Sequence, residues 1–139
     1  LFPESNNYFD KEIEKGKSYE YFIRSHGVNG SVSELSSGVA AEPKITPPPP
    51  PARISAAASE KGILLKWDKP ADDNIAKFFI YRYRRGKKQK KIAEASFDGK
   101  NEYLDTSAKK GELYFYYMTS VNKQNAESRA GREVGAIIK

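Results

Sequence analysis

The chain has 139 residues, a mass of 15.6 kDa and no cysteine, which excludes disulfides, thiol nucleophiles, thiolate metal centres and covalent c-type haem attachment. A single histidine, His26, can supply neither a His-rich metal cluster nor a proton relay. The 24 Lys and Arg against 18 Asp and Glu leave a net charge of +6 that favours acidic partners without naming one, and no apolar run approaches the roughly 18 residues of a membrane helix.

The sharpest break in composition is the run of five prolines at 47–51, whose locked φ suits polyproline II and whose missing N–H groups suit neither a helix nor a central strand. It reads as a stiff linker, 44–51 with its flank, between a segment at 1–43 and one at 52–139. The second length suits a seven-stranded sandwich, and the first is too short for one.

Beyond the linker, period-two alternation, β-branched and aromatic residues, and Gly, Asn or Asp clusters predict strands throughout. Residues 52–58 form a short first strand. Ile63, Leu65 and Trp67 alternate with Leu64 and Lys66 in a second, which ends at the turn-forming Asp68-Lys69-Pro70 and aims Trp67 at the core. Residues 76–84 carry Phe78 and Ile80, with Arg82 in the same register, on one face and Phe79, Tyr81 and Tyr83 on the other, as an inner strand does. Residues 90–95 return after the Arg85-Gly86-Lys87 turn, 102–105 form a short strand, 113–122 the longest aromatic one, and 132–138 close the domain. Helix is disfavoured because the β-branched and aromatic density is high and the Ala-rich run at 54–59 is too short.

The chain also repeats itself. Shifted by 95 positions, the segment from Asn6 aligns with the segment from Asn101 without a gap. The register matches Tyr8 with Tyr103, Asp10 with Asp105, Gly16 with Gly111, Tyr19 with Tyr114, Tyr21 with Tyr116, Ser25 with Ser120 and Ser33 with Ser128. Residues 1–43 therefore read as the back part of a unit whose complete copy follows the linker.

Pro-Pro-Ala-Arg-Ile-Ser-Ala at the entry, Gly-Ile-Leu-Leu-Lys-Trp-Asp-Lys-Pro, Phe-Phe-Ile-Tyr-Arg and Gly-Glu-Leu-Tyr-Phe-Tyr-Tyr together resemble a fibronectin type III domain over nearly all of residues 50–139. The resemblance implies an all-β, immunoglobulin-like sandwich, with one complete repeat at 52–139 preceded at 1–43 by the last three strands of another. In this family the tyrosine opening the sixth strand forms a tyrosine corner, a position matched by Tyr114 and Tyr19, while Trp67 matches the core tryptophan of the second strand. Ile-Ala-Lys-Phe-Phe-Ile-Tyr-Arg, Lys-Ile-Ala-Glu and Tyr-Leu-Asp-Thr are similar to bacterial repeats of this type, including small two-repeat envelope lipoproteins with proline-rich joints. Such lipoproteins carry a lipidated cysteine after a signal peptide, so the resemblance implies a longer precursor. A three-stranded remnant is marginal on its own, which predicts either a truncation or strands supplied by another chain.

The main candidate site is Arg82, Arg84, Arg85, Lys87, Lys88, Lys90 and Lys91, at the hairpin between the third and fourth strands. Adjacent cations there raise the local potential toward phosphate, sulfate or an acidic protein surface, although lysines on a strand edge also simply discourage edge pairing. Tyr19, Tyr21, Tyr114, Tyr116 and Tyr117 suggest a carbohydrate-stacking platform, but their equal offsets are better explained by the fold. Asp72-Asp73-Asn74 resembles a fragment of a calcium loop without its remaining ligands, and reads as a turn. Asp10 and Asp105 belong to separate repeats, which argues against a catalytic carboxylate pair. No phosphate loop, dinucleotide fingerprint, nucleophile elbow or zinc spacing occurs, so no enzyme activity and no cofactor are expected.

The expected function is a non-catalytic interaction or structural module of a bacterial cell-envelope or extracellular assembly, acting as spacer or adhesive subunit. Its expected partner is a protein, such as a filament or outer-membrane assembly, that supplies strands to the first repeat. Two alternatives stand beside it: an accessory module of a larger secreted hydrolase, and a polyanion-binding protein that uses the 82–91 hairpin.

Overall fold

The computed structural model describes residues 6–139, so the first five residues of the predicted 1–43 segment lie outside the described residues. The chain divides between Ile45 and Thr46 into two compact units. Among the described residues every regular element is a strand.

In the first unit β1 (Tyr19–Tyr21) pairs antiparallel with β2 (Val39–Ala41), setting Tyr19 opposite Ala41 and Tyr21 opposite Val39. Beyond them His26 bridges to Val32 across a turn in which Gly30 takes φ 84°. Three strands are predicted here and two form. Residues 6–10, the counterpart of a strand in the second unit, have no neighbouring strand among the described residues on which to build a ladder.

The second unit is a sandwich of two antiparallel sheets. Strands β3 (Ala52–Ser59), β4 (Gly62–Asp68) and β7 (Glu102–Asp105) form one, in the order β3-β4-β7. Strands β5 (Ile75–Tyr83), β6 (Lys90–Ser96), β8 (Leu113–Asn122) and β9 (Val134–Ile137) form the other, in the order β6-β5-β8-β9. These are the seven strands the alternation predicts, with ends moved by one or two residues. The last is shorter than predicted because the loop before it bonds irregularly, with Ser128 N–H reaching the Ser120 carbonyl at 2.8 Å and Gly131 N–H the Met118 carbonyl at 2.8 Å.

Alternation builds the core. Ile63, Leu65 and Trp67 of β4 point inward, as do Phe78 and Ile80 of β5 and Tyr114, Tyr116 and Met118 of β8. Burying each such side chain contributes about 1.5–3 kcal/mol. The Trp67 ring meets Phe78 edge-on at 5.9 Å between centroids, and Phe78 in turn meets Phe97 at 5.9 Å. Strand β5 pairs on both sides, as its two-faced pattern predicts, and Ile92 bulges from β6 where Ile80 faces Ala93 but Tyr81 faces Lys91.

The proline run belongs with the second unit rather than standing as a linker. Pro48 and Pro51 are buried while Pro47 and Pro49 are exposed, the three-residue period of polyproline II seating one edge of the run. The break between units therefore falls before Thr46, whereas composition places a linker over 44–51.

Gly62 opens β4 at φ 145°, a conformation open essentially to glycine alone, and a Cβ there would run into the Asp105 carbonyl oxygen. Gly62→Ala is expected to destabilise the second unit by about 2–4 kcal/mol. Trp67, the chain's one tryptophan, is buried in this unit, so its fluorescence in a urea titration reads the change directly, and an unmoved midpoint would refute the assignment.

Candidate interaction surfaces

The seven cations of the predicted cluster separate by burial and pairing into three groups. Arg82 points inward: its side chain is 20% exposed, its Nη1 lies 2.7 Å from Asp105 Oδ2 and 2.7 Å from Ser107 Oγ, and its guanidinium lies 4.8 Å over the Tyr114 ring. This corrects the placing of Arg82 on an anion-binding surface, since a cation already paired in the sandwich is not offered to a ligand. Arg84 pairs with Glu112 at 2.6 Å, and Lys91 pairs with Glu94 at 2.7 Å while lying 4.0 Å over the Phe79 ring. Arg85, Lys87, Lys88 and Lys90 are exposed, with no ion pair to a described residue. They crown a turn closed by Lys87 N–H on the Arg84 carbonyl at 2.9 Å, with Gly86 at φ 73°.

Arg82 completes a buried cluster that reading along the chain does not assemble. The Asp105 carboxylate, on β7, accepts the Tyr116 hydroxyl at 2.8 Å, the Arg82 guanidinium, and both the N–H and hydroxyl of Ser107 at 3.0 and 2.7 Å. Burial alone would raise its pKa, but the hydrogen bonds from Ser107, Tyr116 and Arg82 outweigh it and hold the carboxyl below the usual carboxylate range. Burial, and then the bond to Asp105, push the Tyr116 hydroxyl well up, so it stays a donor. The available signal was Arg82 sharing the inward register of Phe78 and Ile80.

Both corner tyrosines take the same geometry. Tyr114 Oη accepts the Lys109 N–H at 3.2 Å and donates to Glu112 at 2.7 Å, while Tyr19 Oη accepts the Glu14 N–H at 2.8 Å. The correspondence extends well beyond them. Tyr21 donates to Asp10 at 2.9 Å as Tyr116 does to Asp105, and Ser33 Oγ accepts the Ser25 N–H at 2.9 Å as Ser128 Oγ accepts that of Ser120 at 2.9 Å. Gly16 and Gly111, at φ 82° and 80°, send their N–H groups to the carbonyls of Pro43 and Ile138.

The outer face of the larger sheet carries an aromatic ladder. Tyr81 stacks on Tyr117 at 4.8 Å and 6° between planes, and Tyr83 on Phe115 at 5.3 Å. Because these rings lie face to face, one ring face of each is covered by the other. Their hydroxyls are also engaged: Tyr81 with Glu127, Tyr117 with Gln89 and Tyr83 with Glu133. Burial and then the Glu127 bond push the Tyr81 hydroxyl up to about 12. Of the remaining platform candidates, Tyr114 and Tyr116 are buried in the core and Tyr19 is a corner. Asp72 folds back on the Asn74 N–H at 3.0 Å, and the Asn74 amide donates to Gln124 at 2.8 Å, so this stretch closes a turn. Among the described residues no group of three or more His, Asp or Glu could hold a metal ion.

No known family profile matches the chain, and no curated protein matches it. Solved structures do. The FN1–FN3 domains of chicken CNTN1 are similar over 95% of this chain and 46% of theirs, with TM-score 0.63 and 13% identity. An Fn3-like protein from Clostridium thermocellum is similar over 68% of this chain and 96% of its own, with TM-score 0.55 and 22% identity. Pectate lyase PelI from Erwinia chrysanthemi is similar over 60% of this chain, with TM-score 0.52 and 16% identity, and the match spans about a quarter of that enzyme's length, 27%. At these identities the likeness speaks for architecture. The fold is a fibronectin type III, immunoglobulin-like β-sandwich.

Two outcomes check the assignment of charges. The pKa of Asp105 lies below its unfolded value near 3.8, so its contribution to stability is full above that pH and is lost as pH falls through the folded value. Asp105→Asn should cost about 3 kcal/mol at pH 7 and flatten the acid limb of the stability curve, read by Trp67 fluorescence in urea between pH 7 and 2. Reversing the charge of Arg85, Lys87 and Lys88 together should change the Tm by under about 2 °C, because exposed charges contribute little. A large drop in calorimetry would make the hairpin tip structural.

Proposed function

We propose that the chain is a non-catalytic interaction and structural module of a bacterial cell-envelope or extracellular assembly, serving as a spacer or adhesive subunit. The observation that supports it is the sorting of charge at the hairpin. Arg82 is engaged within the sandwich and Arg84 and Lys91 are paired with carboxylates on its surface, while Arg85, Lys87, Lys88 and Lys90 stand exposed at the hairpin without ion pairs to described residues. A cluster of exposed cations on a well-packed sandwich steers an acidic protein surface toward one end of the module and raises the association rate without altering the fold. The partner is a protein of a filament or outer-membrane assembly.

A second reading is favoured by the architectural likeness to part of a pectate lyase. In it the chain is an accessory module of a larger secreted hydrolase and holds a catalytic domain away from its substrate. A hydrolase domain in the natural reading frame would select that reading.

The test is cosedimentation of the 139-residue chain with envelope and extracellular-filament fractions of the native source. Binding at 50 mM salt is expected, with roughly tenfold weakening on reversing the charge of Arg85, Lys87 and Lys88. Binding that ignores both salt and the variant overturns the hairpin as the contact. A steep log–log fall with salt that survives protease treatment of the fraction indicates a polyanion ligand instead.

A further inference from the structure

The two units share a hydrogen-bond pattern but not a core. In the second unit Met118 of β8 is fully buried, while its counterpart Ile23 in the first is 75% exposed. Tyr116 is 0% exposed, whereas Tyr21 retains access to solvent on the rim of a groove of about 540 Å³ that also involves Tyr8, Phe9, Asp10 and Ile23. Strand β8 is flanked by β5 and β9, but among the described residues β1 is flanked by β2 alone, so one edge of β1 presents unpaired backbone groups. An apolar face beside an open sheet edge is the arrangement that strand addition satisfies.

The second unit shows what that strand must carry. There β5 pairs along the edge of β8 in the same sheet, with Ile80 opposite Met118 and Arg82 opposite Tyr116, and the inward Arg82 side chain reaches past Tyr116 to Asp105. In the first unit Asp10 already accepts the Tyr21 hydroxyl and the Glu12 N–H, the counterparts of the Tyr116 and Ser107 bonds to Asp105. Two donors are missing: Glu12 has no hydroxyl to match that of Ser107, and no Lys or Arg among the described residues pairs with Asp10. Once a strand covers the groove, that carboxylate becomes buried, and a buried carboxylate without a cation is costly.

We propose that the groove of the first unit is filled by a β-strand encoded ahead of Leu1 in the same polypeptide, antiparallel to β1, with an arginine opposite Tyr21 and an aliphatic residue opposite Ile23. The source follows from the 95-residue correspondence, because β5 precedes β7, β8 and β9 in the second unit, and the same order sets its counterpart ahead of Asn6. The correspondence places the arginine roughly 14 residues before Leu1. A tethered strand also competes at an effective concentration that a free donor chain does not reach. The proposal rests on reading the first unit as part of a sandwich module and is independent of the envelope partner.

The test uses the natural full-length protein beside the 139-residue chain. Its reading frame should encode an alternating apolar strand with the arginine at that place. Asp10→Asn should lower the Tm of the full-length protein's first unit by about 10 °C, while leaving the shorter chain unchanged. Amide exchange at Tyr21–Ile23, about 100-fold slower in the longer protein, reports the same covering. Should Asp10→Asn prevent folding, the double variant with Asp10→Leu and the upstream arginine replaced by methionine should restore the Tm. Absence of the arginine, an unchanged Tm, or cross-links from β1 to another protein or to a second copy would overturn the proposal. Loss of envelope binding with the Tm effects intact would overturn only the proposed function.

Discussion

One buried carboxylate fastens the two sheets of the second unit together. Asp105 lies on β7 of the smaller sheet, and the donors that reach it across the sandwich, Arg82 and Tyr116, lie on β5 and β8 of the larger one. Apolar burial holds the sheets face to face but tolerates sliding, because one methyl group contacts another almost anywhere. A carboxylate that must meet a guanidinium and a phenol tolerates very little, so the cluster sets the register in which β4, β5 and β8 present their alternate residues. Desolvating the ions costs several kcal/mol, and the paired geometry offsets that cost.

Position along the chain explains what could be read in advance. Strand number, the inward set Ile63, Leu65, Trp67, Phe78 and Ile80, and the corner tyrosines were all legible, because alternation and repeat spacing are local properties of sequence. The partnership of Arg82 with Asp105 was not, because it joins residues 23 apart and counting charges in a window treats every cation alike. The strand register held Arg82 inward, whereas Arg85, Lys87 and Lys88 fell in or just past the turn, so giving the register priority over the charge count would have removed Arg82 from the surface cluster. The proline run misled for a related reason. Composition reports stiffness, whereas the burial of Pro48 and Pro51 depends on what the run lies against.

The surface divides into spent and unspent chemistry. On the outer face of the larger sheet the tyrosines use one ring face of each stacked pair, and their hydroxyls engage the carboxylates and amide beside them. Among the described residues, unspent groups include the cationic tip between β5 and β6 and the uncovered face behind β1. Both lie where a regular ladder stops, at the end of a hairpin in one case and at an unpaired edge in the other.

The matched hydrogen bonds also create a hazard during folding. With the same acceptors and donors in the same register, the segment around β1 offers the long edge of β5 a backbone pattern like that of β8, so mispairing during folding is a hazard that backbone bonds alone do not prevent. The side chains discriminate where the backbone does not. Tyr83, which stacks on Phe115 when β8 is seated, would lie beside Glu20 if β1 took its place. The ring stacking on the outward face, which contributes little to the core, thereby acts as a proofreading mark that tells one copy of the hairpin from the other.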